Sequence, residues 1–349
     1  MTTNLFGRLA DGTPVELHTL KSDTLEVHLI AFGAGILSLR APDRNGRHVN
    51  VVLNFPDLDG YVRNHGSNAP NFFGSTIGRY ANRIANARFV LDGNEYRLTK
   101  NNGQHSLHGG PQGFYNVVWQ VQSLADGVAF RYSSPDREEG FPGKLETTVR
   151  YSLSGSSLKI EYSATTDAPT VVNLTNHAYL NLAGEDSGST LHHELKLYAA
   201  RFTPTDAGAI PTGELRTVGG TPMDFRRSAA IGSRLAADDE QLRFGHGYDH
   251  NFVLDGEAET LKPAAELCDP CSGRLLEIST TEPAIQFYSG NFLDGTIRGQ
   301  SGAPYHQHAG LCLETQHYPD SPNRPEFPST VLRPGQVFRS MTILKFGIR

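Results

Sequence analysis

Glu314, His177 and His108 are three side chains whose types suit acid–base chemistry. Leu311 and Leu313 alternate with the residue types around Glu314, and successive side chains of an extended chain point to opposite faces. The leucines are therefore expected to face a core, and Glu314 to face the other way. A carboxylate and two histidines in otherwise apolar or glycine-rich segments suit general acid–base catalysis on a polyhydroxylated ligand.

Further polar side chains of planar shape, suited to hydrogen bonding, occur in three other segments. Asn82 and Arg83 lie in GRYANRI, Asp249 lies in GYDHNF, and Gln286 lies in QFYSGN. In NLTNHAYLNL (residues 173–182), an extended chain would place His177 on one face with Asn173, Thr175 and Tyr179. Each segment alone favours a structural reading, because a single histidine or arginine more often serves packing or a surface ion pair.

Motifs of several other chemistries are missing from the chain. It has no GxSxG elbow, no phosphate-binding P-loop and no GxGxxG after a strand, so serine hydrolysis, phosphoryl transfer and nicotinamide redox chemistry have no support. Fourteen histidines make a metal a rival, but no metal-binding motif connects His177, His108 and Glu314. His306 and His308 are interpreted as loop residues, and the pair His192-His193 as an ordinary strand start.

The elements that must position these residues are predominantly strands. Short alternating or apolar runs recur from residues 15–20 to residues 337–346, and Val, Ile, Thr, Tyr and Phe dominate them. Asp92-Gly93-Asn94 predicts a hairpin turn, and residues 228–237 are the best candidate for a short helix. Many strands with few short helices predict an all-β fold, a large antiparallel β-sandwich, with residues 1–349 as one domain.

Composition narrows the function further. A net charge of -6 without a basic run argues against a nucleic-acid partner. No stretch has the length of a membrane-spanning helix and no signal sequence is recognisable, so a cytoplasmic location without membrane contact is expected. The three cysteines give no disulfide framework, and Cys268 and Cys271 form a CxxC without a second ligand pair, which favours a simple turn.

Taken together, the segments resemble the aldose 1-epimerase (galactose mutarotase) family. GRYANRI, LHGG, TNHAYLNLAG, GYDHNF, QFYSGN and LETQHYPDSPN occur in the family's order and at roughly its spacing. The resemblance implies a galactose mutarotase-like supersandwich with a concave sugar-binding face. Ala178 and Leu180 replace the Ser and Phe often found in that strand, and His105 stands where Asn is common.

The resemblance also implies roles for individual residues. Glu314 corresponds to the catalytic base, His177 to the catalytic acid, and His108 to a second histidine near the ring oxygen. The implied sugar contacts are Asn82, Arg83, His108, His177, Ala178, Tyr179, Asp249, Gln286 and Glu314. Glu314 would remove the proton of the anomeric hydroxyl while His177, as imidazolium, protonates the ring oxygen. Burial would have to raise the pKa of Glu314 for this exchange, and no metal or organic cofactor is required.

The expected substrate is a free aldohexose such as glucose or galactose, and the expected assembly is a monomer or a weak homodimer. Three alternatives remain open. A hexose-6-phosphate 1-epimerase would need more Arg or Lys at the pocket rim than Arg83 supplies. A non-catalytic carbohydrate-binding protein would not need an acid–base pair, and a glycosidase would need a second carboxylate, for which Asp249 is the candidate. The preferred aldose is not readable from the sequence.

Overall fold

The computed structural model describes residues 2–67 and 69–349. Its regular structure consists almost entirely of strands, together with two α-helices, α1 (Leu58–His65) and α2 (Glu240–Gly245). In chain order, the strands are β1 (Thr2–Arg8), β2 (Pro14–Lys21), β3 (Glu26–Ile30), β4 (Gly35–Pro42), β5 (His48–Asn50), β6 (Thr76–Ile77), β7 (Arg83–Ile84), β8 (Arg88–Leu91), β9 (Asn94–Arg97), β10 (Ser106–Leu107), β11 (Gln120–Leu124), β12 (Gly127–Ser134), β13 (Leu145–Ser154) and β14 (Ser157–Thr166). They continue with β15 (Thr170–Val171), β16 (Thr175–Asn176), β17 (Tyr179–Leu180), β18 (Glu194–Leu197), β19 (Arg201–Thr203), β20 (Arg216–Thr217), β21 (Ala229–Ala230), β22 (Asp249–Val253), β23 (Lys262–Cys268), β24 (Arg274–Thr280), β25 (Ala284–Tyr288), β26 (Leu311–Gln316), β27 (Val331–Leu332) and β28 (Phe338–Ile348).

Three large sheets make up the architecture. The first has the order β1-β2-β3-β4-β5, and the second has the order β11-β12-β13-β14-β28-β24-β23-β18-β21. The third, with the order β17-β26-β25-β22-β19-β20, carries the residues of chemical interest. Neighbouring strands in it pair antiparallel, as β25 does with β22 and β26. The predicted all-β antiparallel fold is confirmed.

The third sheet packs one face against the nine-stranded sheet. Leu313 of β26 lines the same interior space as Ile278 of β24 and Leu344 of β28, and the hydroxyl oxygens of Thr315 and Thr342 lie 2.6 Å apart. Alternation along β26 therefore turns Glu314 to the opposite face, as its sequence predicts. One continuous apolar core contains buried residues of all three large sheets. The single domain stays a prediction.

The helix predicted over residues 228–237 is wrong. Ala229–Ala230 form strand β21, and the following Ile231–Arg234 form only a 3-10 turn. Gly232 and Ser233 are poor helix formers. The next helix, α2, begins after Asp239, which caps its N-terminus. Its carboxylate accepts hydrogen bonds from the backbone N–H groups of Gln241 and Leu242 at the start of α2.

The hairpin predicted at Asp92-Gly93-Asn94 is confirmed. Strands β8 and β9 pair with Leu91 opposite Asn94, and Asp92 and Gly93 between them have φ values of 50° and 78°. Positive φ at both central residues is what a type I′ turn between antiparallel strands requires.

Neither helix of the described residues has the length and hydrophobicity to span a membrane. The cytoplasmic location and the monomeric or weakly dimeric state stay predictions.

Candidate active site

Glu314 lies on β26, the second strand of the third sheet. It pairs directly with Gln286 of β25, and Gln286 pairs with Asn251 of β22. These three polar side chains form one row across the sheet, on the face opposite the leucines. Glu314 is only 2% exposed, so the carboxylate is held inside the protein and not at a solvated strand end.

His177 reaches Glu314 from the segment between β16 and β17. Its backbone N–H donates to the carbonyl of Ser75 at 2.9 Å, and its own carbonyl accepts from the N–H of Gly74 at 3.0 Å. These bonds fix the backbone and bring Nε2 of His177 to 3.7 Å from Oε1 of Glu314. With His177 only 5% exposed, the predicted acid and the predicted base are buried together.

His108 is placed beside them by the short β7–β10 ladder, in which Leu107 pairs with Arg83. The backbone N–H of Asn82 donates to Nδ1 of His108 at 3.1 Å, and the N–H of His108 donates to the carbonyl of Asn82 at 3.0 Å. The ring centroids of His108 and His177 lie 5.1 Å apart at nearly a right angle. Asn82 and His108 both adopt the left-handed backbone region, with φ of 62° and 53°, a conformation that clusters at functional sites.

The hydrogen bond of His108 defines its tautomer. Nδ1 of His108 accepts from a backbone N–H, so Nε2 carries the hydrogen of the neutral ring. Nδ1 of His177 lies 3.5 Å from Sγ of Cys312, and burial raises the pKa of the Cys312 thiol well above its ordinary value. His108 thus presents an Nε2–H donor to the site, while Nε2 of His177 faces Glu314.

The tautomer of His108 argues against a preformed metal centre. Ligand atoms of His108, His177 and Glu314 all lie within 4.8 Å of one another, but Nε2 of His108 carries a hydrogen and has no lone pair for a metal. A second such cluster, His192, His193 and Asp269, has the same conflict. There, Nε2 of His193 accepts from the N–H of Leu182 at 2.9 Å, which leaves the hydrogen on Nδ1.

Phe72 packs against both histidines of the site, and the sequence analysis did not single it out. Its ring centroid lies 4.7 Å from that of His108 and 5.5 Å from that of His177. The backbone of Phe72 has a φ of 55°, which is rare for a bulky residue. The only sequence signal was its position shortly before the GRYANRI segment.

Burial shifts the pKa values of the site residues toward their uncharged forms. It raises the pKa of Glu314 well above the ordinary value; the like charge of Asp249 adds to this rise, and the Arg83 guanidinium opposes it. Burial lowers the pKa of His177 to about 4, and that of His108 well below its ordinary value. The free site therefore favours a protonated Glu314 beside a neutral His177, and not the imidazolium expected from the sequence.

The predicted sugar contacts surround this pair. Nε2 of Gln286 donates to Oδ1 of Asp249 at 2.7 Å, and Nε of Arg83 donates to Oδ1 of Asn102 at 3.0 Å. Oδ1 of Asn82 accepts from the backbone N–H of Arg83 at 2.9 Å. Asn102 thus orients Arg83, a contact that sequence reasoning missed because the two residues lie 19 positions apart in the chain.

Tyr179 and Ala178 lie on opposite sides of their strand. The Tyr179 ring lies 5.2 Å from His177 and 5.9 Å from Tyr288, on the side of the acid–base pair. Ala178 lines the interior space between the sheets with Leu313, so its side chain points away from Glu314. A sugar contact of Ala178 stays a prediction.

The antiparallel sandwich and its buried carboxylate–imidazole pair define an acid–base enzyme of the all-β class. The chain belongs to the aldose 1-epimerase family, because the model of that family matches residues 16–345. This confirms the family resemblance read from the sequence.

Named relatives cover the whole chain. It is 45% identical to galactose mutarotase of Bos taurus over 349 residues, which is 100% of this chain and 99% of the relative. It is 42% identical to aldose 1-epimerase of Escherichia coli K12 over 342 residues, 96% of each chain. The crystal structure of galactose 1-epimerase from Lactobacillus acidophilus superposes with a TM-score of 0.86 at 27% identity, covering 99% of this chain and 98% of that one. The galactose mutarotase-like fold is thereby confirmed.

Proposed function

We propose that Glu314 and His177 are the proton-transferring pair with which this aldose 1-epimerase interconverts the α- and β-anomers of free aldohexoses. The observation that carries the proposal is the 3.7 Å approach of His177 Nε2 to Glu314 Oε1, with both groups buried. Two groups so placed can exchange protons with the anomeric hydroxyl and the ring oxygen of one sugar, which are bonded to the same carbon.

Ring opening requires two proton transfers and one bond cleavage. The Glu314 carboxylate takes the proton of O1, and the C1–O1 bond becomes a carbonyl. The electron pair of the C1–O5 bond moves to O5, which takes a proton from the His177 imidazolium. Rotation about C1–C2 then presents the other face of the aldehyde, and the same pair closes the ring with its roles reversed.

The pair carries one proton in both halves of this cycle. A closed sugar requires ionised Glu314 and protonated His177, whereas the open chain leaves protonated Glu314 and neutral His177. Burial favours the second, uncharged state in the free site, so it favours the protonation state of the open-chain intermediate. Hydroxyl groups of a bound sugar that donate to the Glu314 carboxylate would supply the stabilisation that the charged state needs.

The other predicted residues hold the sugar in place. The Nε2–H of His108 points into the site and supports O5 by hydrogen bonding. Arg83, Asp249 and Gln286 bind ring hydroxyls with planar or charged groups, and Asn82 fixes the backbone around Arg83. Holding the ring between these groups allows both proton transfers without movement of the sugar.

The alternatives have less support. A phosphosugar would bring a dianion near the like charges of Glu314 and Asp249, which already interact unfavourably. A binding protein would have no use for a buried pair that carries one exchangeable proton. A glycosidase would use Asp249 as a second carboxylate, but Asp249 is engaged with Gln286. The relatives named above carry epimerase names and not glycosidase names.

The test is the rate of anomer interconversion. Freshly dissolved α-galactose or α-glucose is followed by polarimetry, or by exchange NMR at equilibrium, with and without the purified protein. We expect a rate proportional to enzyme concentration. Equal rates in the presence and absence of the protein would contradict the proposal.

A further inference from the structure

Two buried amides near Glu314 have no hydrogen-bonding partner among the described residues. Both the oxygen and the nitrogen of Asn251 and of Gln316 are unpaired, although Asn251 is 1% and Gln316 0% exposed. Burying an unpaired amide opposes folding. Amides that a protein keeps in such a place are expected to find their partner in a ligand.

Another buried glutamine shows how the fold satisfies such a group when the role is structural. Gln241 is 3% exposed, and its Oε1 accepts from the N–H of Thr205 at 2.7 Å. Its Nε2 donates to the carbonyl of Thr205 at 2.9 Å. Gln316 and Asn251 lack any comparable contact.

Both unpaired amides lie on the face of the third sheet that carries the acid–base pair. Gln316 follows Glu314 by two residues on β26, and Asn251 pairs with Gln286, the direct partner of Glu314. The unpaired atoms continue across this row, because Oε2 of Glu314 and Oε1 of Gln286 also have no partner in the described chain.

The position of the row within the sheet indicates which part of a sugar the Asn251 amide meets. Neighbouring strands lie about 4.8 Å apart, so Asn251 on β22 lies about 10 Å from Glu314 on β26. The anomeric oxygen belongs at Glu314, and Asn251 therefore meets the far edge of the ring, where C3 and C4 carry hydroxyl groups. Gln316 lies in the next row, opposite Ala284, and an apolar cluster that contains Val253, Ala284, Tyr318 and Phe327 closes that row.

We propose that Asn251, at the far end of the row that begins at Glu314, forms a polar recess that binds the sugar hydroxyls farthest from the anomeric centre, at C3 and C4. This inference deepens the proposed function and rests on it for the placement of the sugar. A hydroxyl group donates to the amide oxygen and accepts from the amide nitrogen, so the amide satisfies a hydroxyl in both directions. The recess makes the enzyme sensitive to aldoses that differ at these carbons, because a sugar without the matching hydroxyl leaves the amide unpaired.

The test measures binding and not turnover. The ligands are 1,5-anhydrogalactitol and its 2-deoxy, 3-deoxy and 4-deoxy derivatives, which lack the anomeric hydroxyl and cannot mutarotate. Calorimetric affinities are measured for the wild type and Asn251→Leu, which removes the amide at nearly constant volume. Gln241→Met is the matched control, because its amide is satisfied by Thr205 outside the row.

We expect Asn251→Leu to bind the parent ligand about tenfold more weakly. The loss should persist with the 2-deoxy ligand and disappear with the 3-deoxy or the 4-deoxy ligand, because the missing hydroxyl and the missing amide then belong to one contact. The control should keep wild-type affinities for all four ligands.

Two results would overturn the recess. One is a variant whose affinity for all four ligands equals that of the wild type, or falls by the same factor for all four. The other is a wild type that binds none of them. Binding of these ligands needs no proton transfer. A protein that fails the mutarotation assay, but whose variant loses affinity only for ligands with the matching hydroxyl, would therefore contradict the proposed function and still support the recess.

Discussion

The imidazole Nε2 of His177 lies 3.7 Å from Oε1 of Glu314, with both side chains buried. Burial disfavours the charged form of each group. It therefore favours the state in which the shared proton lies on Glu314 and both groups are uncharged. The pair is therefore poised between the protonation states of a closed and an open sugar ring.

Glu314→Gln should abolish most of the activity while leaving the fold intact. The substitution keeps the shape of the side chain but removes the group that accepts the O1 proton, a loss of about 10²–10⁴-fold in kcat. Mutarotation measured by polarimetry and the thermal unfolding temperature provide the two readouts. Glu282→Gln, at a carboxylate buried to the same extent beside His317, is the control and should stay active. A fully active Glu314→Gln enzyme would show that the base lies elsewhere.

The same variant should be more stable than the wild type, by an amount that grows with pH. The pKa of Glu314 is raised in the folded state, so its contribution to stability is complete below its unfolded pKa of about 4.3 and is lost as the pH rises toward the folded value. The difference between the free energies of unfolding of variant and wild type should widen by about 1.4 kcal/mol per pH unit in that window. Urea unfolding at pH 5 and pH 6 measures it, and a constant difference would contradict the raised pKa.

The contribution of His177 to stability should have the opposite sign. Its pKa of about 4 in the folded state lies below the ordinary value of about 6.5, so folding requires loss of a proton between these values. His177→Asn should therefore gain stability relative to the wild type as the pH falls from 6.5 to 4, while losing activity at every pH. A variant whose relative stability stays flat over this range would indicate an imidazole with an ordinary pKa.

Cys312 should position His177 through its thiol. Cys312→Ser keeps a donor for Nδ1 and should retain activity within a few-fold, whereas Cys312→Ala should lose about tenfold, the value of one hydrogen bond. Nitrogen chemical shifts of His177 should show a single tautomer in the wild type and the serine variant, and a mixture of tautomers in the alanine variant. Cys268→Ser, at a buried cysteine of the second sheet, is the control and should change neither readout. Equal activity of Cys312→Ser and Cys312→Ala would remove the thiol from the mechanism.

His108 should tolerate asparagine better than valine. The residue has a φ of 53°, which asparagine adopts readily and a β-branched residue does not. His108→Asn should fold with near wild-type stability and lose activity through the missing Nε2–H donor, whereas His108→Val should also lose about 1–2 kcal/mol of stability. Chemical denaturation separates the two effects. Equal stability of the two variants would mean that the backbone there is not restricted.

The site could be predicted in part because several of its features are local. Alternation along β26 is encoded in Leu311 to Gln316, so the face of Glu314 was readable from the chain alone. The type I′ turn at Asp92-Gly93 was readable for the same reason, since few residue types accept its backbone angles. The roles of Glu314 and His177 as base and acid came from the family resemblance and not from alternation.

Contacts between distant segments were not readable. The approach of Cys312 to His177, the contacts of Phe72 with both histidines and the hydrogen bond from Arg83 to Asn102 each depend on the packing of separate strands and loops. The prediction of a helix over residues 228–237 was wrong because hydrophobic periodicity takes no account of the low helix propensity of Gly232 and Ser233.

By itself, the sequence determined the strand-rich fold class, the family and the candidate acid–base side chains, because local alternation and residue type carry that information. Only the tertiary structure showed that Glu314 and His177 are buried together and that the amides of Asn251 and Gln316 are unpaired. Both depend on how completely water is excluded and on which polar atoms meet across the sheet. Those quantities are set by three-dimensional packing, and no stretch of the chain encodes them separately.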